Sequence, residues 1–169
     1  MRKLWEDHVT WTRVYIISAA ADLGDQKVAA DRLLRNQVDL GDAIKPFYGE
    51  AAGAKLTTLL EEHITIATEL IAAAKAGEDA KKDAAAARWR RNADDISSFL
   101  SAANPEHWPL ADMKKMMHEH LDLTTKEVTA RLTKNWAADV AAYDKVHSAI
   151  LAMADMLSAG IIAQHPKKF

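Results

Sequence analysis

The 169-residue chain is predicted to be an all-α protein, an up-and-down helical bundle of about six helices built from three degenerate αα-hairpins. Three observations carry that reading. Ala, Leu, Lys, Glu and Asp dominate, alanine tracts at 72–74 and 84–87 have the best intrinsic helix propensity, and strand signals are nearly absent. Apolar residues recur three and four apart, as in Leu56, Leu59, Leu60, Ile66, Leu70 and Ala74. The chain also matches itself at intervals of 55 to 57 residues.

The breaks between periodic segments define the elements in order. The first helix, about 3–22, ends at Gly24-Asp25. The second, about 26–45, stops before Pro46, because proline has no N–H to continue the ladder and biases the preceding residue away from helix. The third, about 51–76, ends at Gly77, and the fourth, about 79–103, runs into Asn104 to Pro109. The fifth, about 110–133, ends at Lys134-Asn135, and the sixth, about 136–163, stops before Pro166. Gly24, Gly77 and Asn135 read as tight hairpin turns, since glycine past a helix end takes the left-handed conformation without penalty. The Pro46 and Pro105 regions read as corners, with Trp108 beside Pro109 as a packing staple. The whole chain, 1–169, is one domain of hairpins near 1–46, 47–106 and 107–166.

The repeat is carried by polar residues set into apolar faces. Trp5-Glu6-Asp7-His8-Val9-Thr10 aligns with Leu60-Glu61-Glu62-His63-Ile64-Thr65 and with Met117-His118-Glu119-His120-Leu121-Asp122. The three histidines are 55 and 57 residues apart. In the second helix of each hairpin Asn36-x-x-Asp39 matches Asn92-x-x-Asp95, and His147 follows Asn92 by 55. His63 is central among Leu59, Leu60, Ile66 and Leu70, His120 among Met116, Met117 and Leu123, and His8 among Leu4, Trp11 and Tyr15. His147 falls on the stripe read as Trp136, Val140, Tyr143 and Ile150. Residues equidistant from a turn lie level in antiparallel helices, which sets His8 next to Asp39, His63 next to Asn92, and His120 next to His147.

Level side chains on helices whose axes are about 8–10 Å apart can meet at one ion. The expectation is a metal centre in the bundle core, with His8, His63, His120 and His147 converging and Asp39, Asn92 and Asp95 as ligands or as partners of ligands. Neutral imidazole suits copper, zinc and iron, so the expected cofactor is one of these transition metal ions, in a storage, sensing or redox role. Asp144-x-x-His147 resembles half of a di-iron bundle motif but occurs once, which disfavours a ferritin-like centre. The alternative is a metal-free scaffold or interaction protein whose buried His, Asn and Asp layer specifies helix pairing, since buried polar groups need only be hydrogen-bonded. Enzymatic activity would have to come through the metal. His118, about 200° around the helix from His120, faces solvent.

Composition narrows the function further. With 22 basic and 24 acidic side chains well mixed and a formal charge of −2, the chain has no basic field to gather nucleic acid. Without cysteine, any metal is held by His and oxygen. The strongly apolar runs at 14–21 and 146–154 fall short of the roughly 20 residues a bilayer span needs, so no membrane insertion is expected. Met113, Met116, Met117, Met153 and Met156 could ligate copper(I), but helically spaced methionine usually fills gaps. A protein partner has no signature.

The segments Leu4 to Arg13, Asn36 to Gly49, Asn92 to Ile96 and Met153 to Ser158 together resemble a small family of uncharacterised prokaryotic helical proteins, over nearly the whole chain. Its members often carry a glycosyltransferase label. An all-α chain of this length offers no parallel sheet on which to build a nucleotide fold, so the resemblance brings no activity with it. Some members begin with a secretion leader, which would imply export; Met1-Arg2-Lys3 leads straight into Trp5, so the chain reads as cytoplasmic unless a leader is trimmed.

Overall fold

A computed structural model describes residues 1–169, and it is all-helical. The helices are α1 (Arg2–Ala21), α2 (Gln26–Tyr48), α3 (Glu50–Ala76), α4 (Asp79–Ala103), α5 (Leu110–Leu132) and α6 (Trp136–Gln164), followed by a 3-10 turn at Pro166–Lys168. Each helix packs on the next in chain order, α6 closes the ring against α1, and α1 also reaches α3 and α5.

The connections differ in detail from the sequence reading. Gly77 is left-handed (φ 69°), as a glycine after a helix end should be. At the first turn the left-handed residue is Asp22 (φ 53°) rather than Gly24, and at the third it is Lys134 (φ 58°), after which the Asn135 side chain caps α6 by accepting from Ala138 N–H. Helix α2 does not stop before Pro46. It runs on to Tyr48, and Gly49 (φ 87°) alone separates it from α3. A proline in the last turn removes one bond from a ladder about to end, so there it bends the chain less than it would in a helix interior. Gly41 and Gly53 face each other where α2 crosses α3; a Cβ on either would run into the other's carbonyl oxygen.

Trp108, 1% exposed, lies under the corner between α4 and α5 and packs on Gly160 of α6, where a Cβ would overlap its indole. Asn104 donates to the Gly160 carbonyl at 2.9 Å and fixes the same corner. The apolar interior has two parts. A large cluster includes Trp5, Leu60 and Met117, and a smaller one includes Ile16, Ile71 and Val128. The three histidines stand beside the first cluster, with Trp5 and Val9 flanking His8, Leu60 preceding His63, and Met117 and Leu121 flanking His120.

Helix α6 has an 18-residue window of mean hydropathy 1.6, enough by length and composition to cross a bilayer; in this fold it packs on α5 and α1. Its inner face is Asp139, Val146, Ile150, Met153, Ala154, Leu157 and Ile161. Asp139, fully buried, takes both arms of the Arg13 guanidinium, one at 2.9 Å, and is reached by Arg131 at 3.3 Å. Arg13 also binds Glu127, 1% exposed, at 2.9 Å. Its guanidinium lies over the Tyr143 ring, and Arg131 lies over Trp136. Two acids and two arginines thus tie α1, α5 and α6 at the closing seam.

Breaking this cluster from the arginine side should be severe. Arg13→Ala leaves two carboxylates without their main partner, and a loss of about 3–5 kcal/mol is expected in urea unfolding. A loss below 1 kcal/mol would show that the seam does not depend on the cluster.

Candidate metal centre

His8, His63 and His120 come from α1, α3 and α5 and are 2%, 3% and 5% exposed. The His120 ring centroid is 5.7 Å from that of His8 and 6.3 Å from that of His63. Indoles enclose the group, Trp5 at 5.7 Å from His8 and Trp89 at 5.1 Å from His63. The rings stand side by side rather than around a point: no three His, Asp, Glu or Cys side chains already have their donor atoms gathered for one ion.

The even-numbered helices supply the partners. Asn92 Nδ2 donates to the Leu59 carbonyl at 3.0 Å, which orients the amide so that its Oδ1 accepts from His63 Nδ1 at 2.7 Å. His63 therefore carries its proton on Nδ1 and a free lone pair on Nε2. Asn36 Nδ2 makes the equivalent bond to the Leu4 carbonyl at 3.0 Å; Leu4 and Leu59 each precede a histidine of the group by four residues. In this first copy the ring contact passes to Gln37, whose Nε2 is 3.4 Å from His8 Nδ1. The third copy has no such partner, and His120 Nδ1 is buried with none.

His147 occupies the corresponding place in the third copy and does not join the group. It is half-buried at the surface, 3.2 Å from Glu6. The expected stripe through Trp136 and Val140 is wrong in phase: those two are 53% and 54% exposed, and the buried face runs through Asp139 and Val146. Asp39 and Asp95 are also outside. Asp39 pairs with Arg35 at 3.2 Å, and Asp95 is exposed. Each follows its asparagine by three residues, which turns it about 60° from the inward direction. Of the seven candidate residues, His8, His63, His120 and Asn92 are brought together. His118 is half-exposed and pairs with Asp94 at 3.1 Å. Sequence reasoning missed Gln37 and the Arg13 cluster. A signal existed for Glu127, which follows Thr124 by three residues and His120 by seven and so shares the inward face of α5.

A small cavity of about 20 Å³ is bordered by all three histidines, Thr12, Thr124 and Trp89. A larger open groove between α4 and α5 lies against it, sharing Leu70, Trp89, Thr125 and Val128 as a common wall.

Burial is the main influence on all three imidazoles. It pushes His8 down to about 3, helped by His63 and opposed by the Gln37 contact. It pushes His63 down to about 4, against the bond to Asn92. His120 is lowered well below the usual histidine range by burial and by its two neighbours. All three are neutral at neutral pH, the form that ligates metals. Comparison of the chain with family models, curated proteins and solved structures finds no match.

These positions set an acid limb on stability. Above about pH 6.5 both folded and unfolded chains hold the imidazoles neutral. Below it the unfolded chain takes up protons that the fold refuses until the pH nears 4 for His63 and 3 for His8. Each ring should remove about 1.4 kcal/mol per pH unit in that window. Replacing His120 by Leu should flatten the limb by about a third in pH-dependent urea titrations. Stability unchanged from pH 7 to 4 would contradict neutral burial.

Proposed function

We propose that the chain binds one transition metal ion, copper, zinc or iron, through His8, His63 and His120, for storage, sensing or redox chemistry. The observation that carries this reading is His120: an imidazole buried beside two others, one of its ring nitrogens without any partner. A stranded buried polar atom costs about 1–3 kcal/mol, and a shared ion removes that cost. Ligands of one ion at metal–nitrogen distances near 2 Å have ring centres roughly 5–6.5 Å apart, the range in which the His120 ring stands from each of the other two. The Asn92 bond to His63 supports the reading as well, since a ligating imidazole commonly passes its other N–H to a carbonyl or carboxylate.

One observation favours a metal-free scaffold. The rings are not gathered, and the cavity beside them is large enough for a water, which needs about 10–15 Å³ and could bridge them. The two readings separate on metal content. Elemental analysis of protein purified without a metal-chelating tag should give about one ion per chain, His63→Ala should lose it, and bound metal should shift the acid limb to lower pH. Metal content at zero, with His63→Ala merely less stable, leaves the scaffold. The well-mixed surface charge supports a reading without nucleic acid, and the packing of α6 on α5 and α1 one without membrane insertion.

A further inference from the structure

We propose that the first turns of α4, Asp79 to Arg88, form a gate that opens the histidine layer to solvent while the rest of the bundle stays folded. Such a gate serves a proton, a water or an ion alike and does not rest on the metal reading. Three observations set this stretch apart. Within it only Ala85 is buried, whereas the rest of the helix buries Trp89, Asn92, Ile96 and Leu100. Open grooves lie on both of its sides, about 470 Å³ toward α5 and about 560 Å³ toward α3. No side chain caps its N-terminus, and its lysines pair with acids one turn away, Lys81 with Glu78 and Lys82 with Asp79. Its polar tie to another helix is the ion pair of Arg88 with Glu69, both about half exposed, and exposed pairs hold little. The start of α6 buries as little, but there Arg13 and Arg131 hold Asp139; α4 has no such anchor.

Buried apolar area holds a helix segment to its neighbours, so a stretch that buries one alanine is a part of the bundle that opens at low cost. Alanine favours the helix, yet a detached stretch this short does not keep its helix in water, so detachment and fraying are one event. That event reaches the histidines through Trp89. Its ring is 5.1 Å from His63 and, with Leu70, Thr125 and Val128, forms the wall shared by the histidine cavity and the α4–α5 groove. With the preceding turns in place Trp89 is 4% exposed; once they fray it stands at the end of the helix, free to swing out into the groove. Its indole N–H has no partner in the closed form, so moving it into water breaks no hydrogen bond. Asn92, bonded to Leu59 and to His63, stops the opening at the next turn.

Hydrogen exchange on the metal-free full chain at neutral pH should find the amides of residues 83–88 exchanging about a hundredfold faster than those of 92–100. Equal protection of the two sets overturns the gate. Diethyl pyrocarbonate, which acylates neutral imidazole, reads the opening at the histidines themselves, since the Asn92 bond leaves Nε2 of His63 free. Ala86→Leu, which sets an apolar side chain into the groove, should slow acylation of His63 several-fold. Ala84→Gly combined with Ala87→Gly, both at exposed positions, weakens the helix and should speed it several-fold. His147, at the surface, should react alike in every variant. Urea separates a local opening from global unfolding, because the dependence on denaturant follows the area exposed. Acylation of His63 should therefore change little with urea below the unfolding transition. A steep rise with urea, or a rate indifferent to these substitutions, overturns the gate.

Discussion

A ring of six antiparallel helices needs its last helix to meet its first, and here that seam runs through a desolvated ion cluster. Arg13 of α1 holds Asp139 of α6 and Glu127 of α5 together, with Arg131 against Asp139 from the side. Burial pushes the Glu127 carboxyl up from its ordinary value, and the Arg13 bond opposes that push. Apolar contacts alone would leave α6 free to rotate, because its surface is apolar almost all round; the buried Asp139 carboxylate, held by Arg13 and Arg131, fixes one orientation. The same contact draws α1 inward against α3 and α5. That position of α1 places His8 beside His120 and completes the group of three imidazoles.

The histidine layer shows one physical requirement met in three ways. Each odd-numbered helix buries an imidazole at an equivalent level, and each imidazole then needs a partner. Asn92 meets the need fully, bonding both the His63 ring and the Leu59 carbonyl. In the first copy the two tasks are divided, Asn36 taking the Leu4 carbonyl and Gln37 the ring. In the third copy neither task is done, because the equivalent residue, His147, points out to Glu6. The asymmetry collects unsatisfied capacity on one side, where the small cavity lies.

The helices were legible because periodicity and chain breaks are local properties. Gly77 and the stretches around Pro105 and Asn135 mark ends whatever the helices pack against. The inward direction of His8, His63 and His120 was legible for the same reason, since each lies within an amphipathic stripe that has only one apolar side. His147 was misread because α6 lacks that contrast. With Val140, Tyr143 and Trp136 as apolar as Val146 and Ile150, more than one phase fits the sequence, and the Arg13 cluster selects the one that exposes Trp136 and Val140. The count from the turn set His8 beside Asp39, whereas the residue that meets it is Gln37, two positions earlier; such a count gives an approximate level and says nothing of rotation, and Asp39 and Asp95 both turn away.

By itself the sequence determined six helices, the breaks at Gly77 and Asn135 and the burial of one imidazole in each odd-numbered helix, all consequences of backbone preference and of apolar pattern within a few residues. Only the tertiary structure decided that α6 closes on α1, that Gln37 rather than Asp39 faces His8, and that His120 is left with an unpartnered nitrogen beside a cavity. Those outcomes depend on which faces meet across long stretches of chain, 29 residues for Gln37 and His8 and 114 and 126 for Arg13 with Glu127 and Asp139. Charge buried so far from its partner in sequence carries no local pattern, and its energy exists only once both helices have excluded water from the pair.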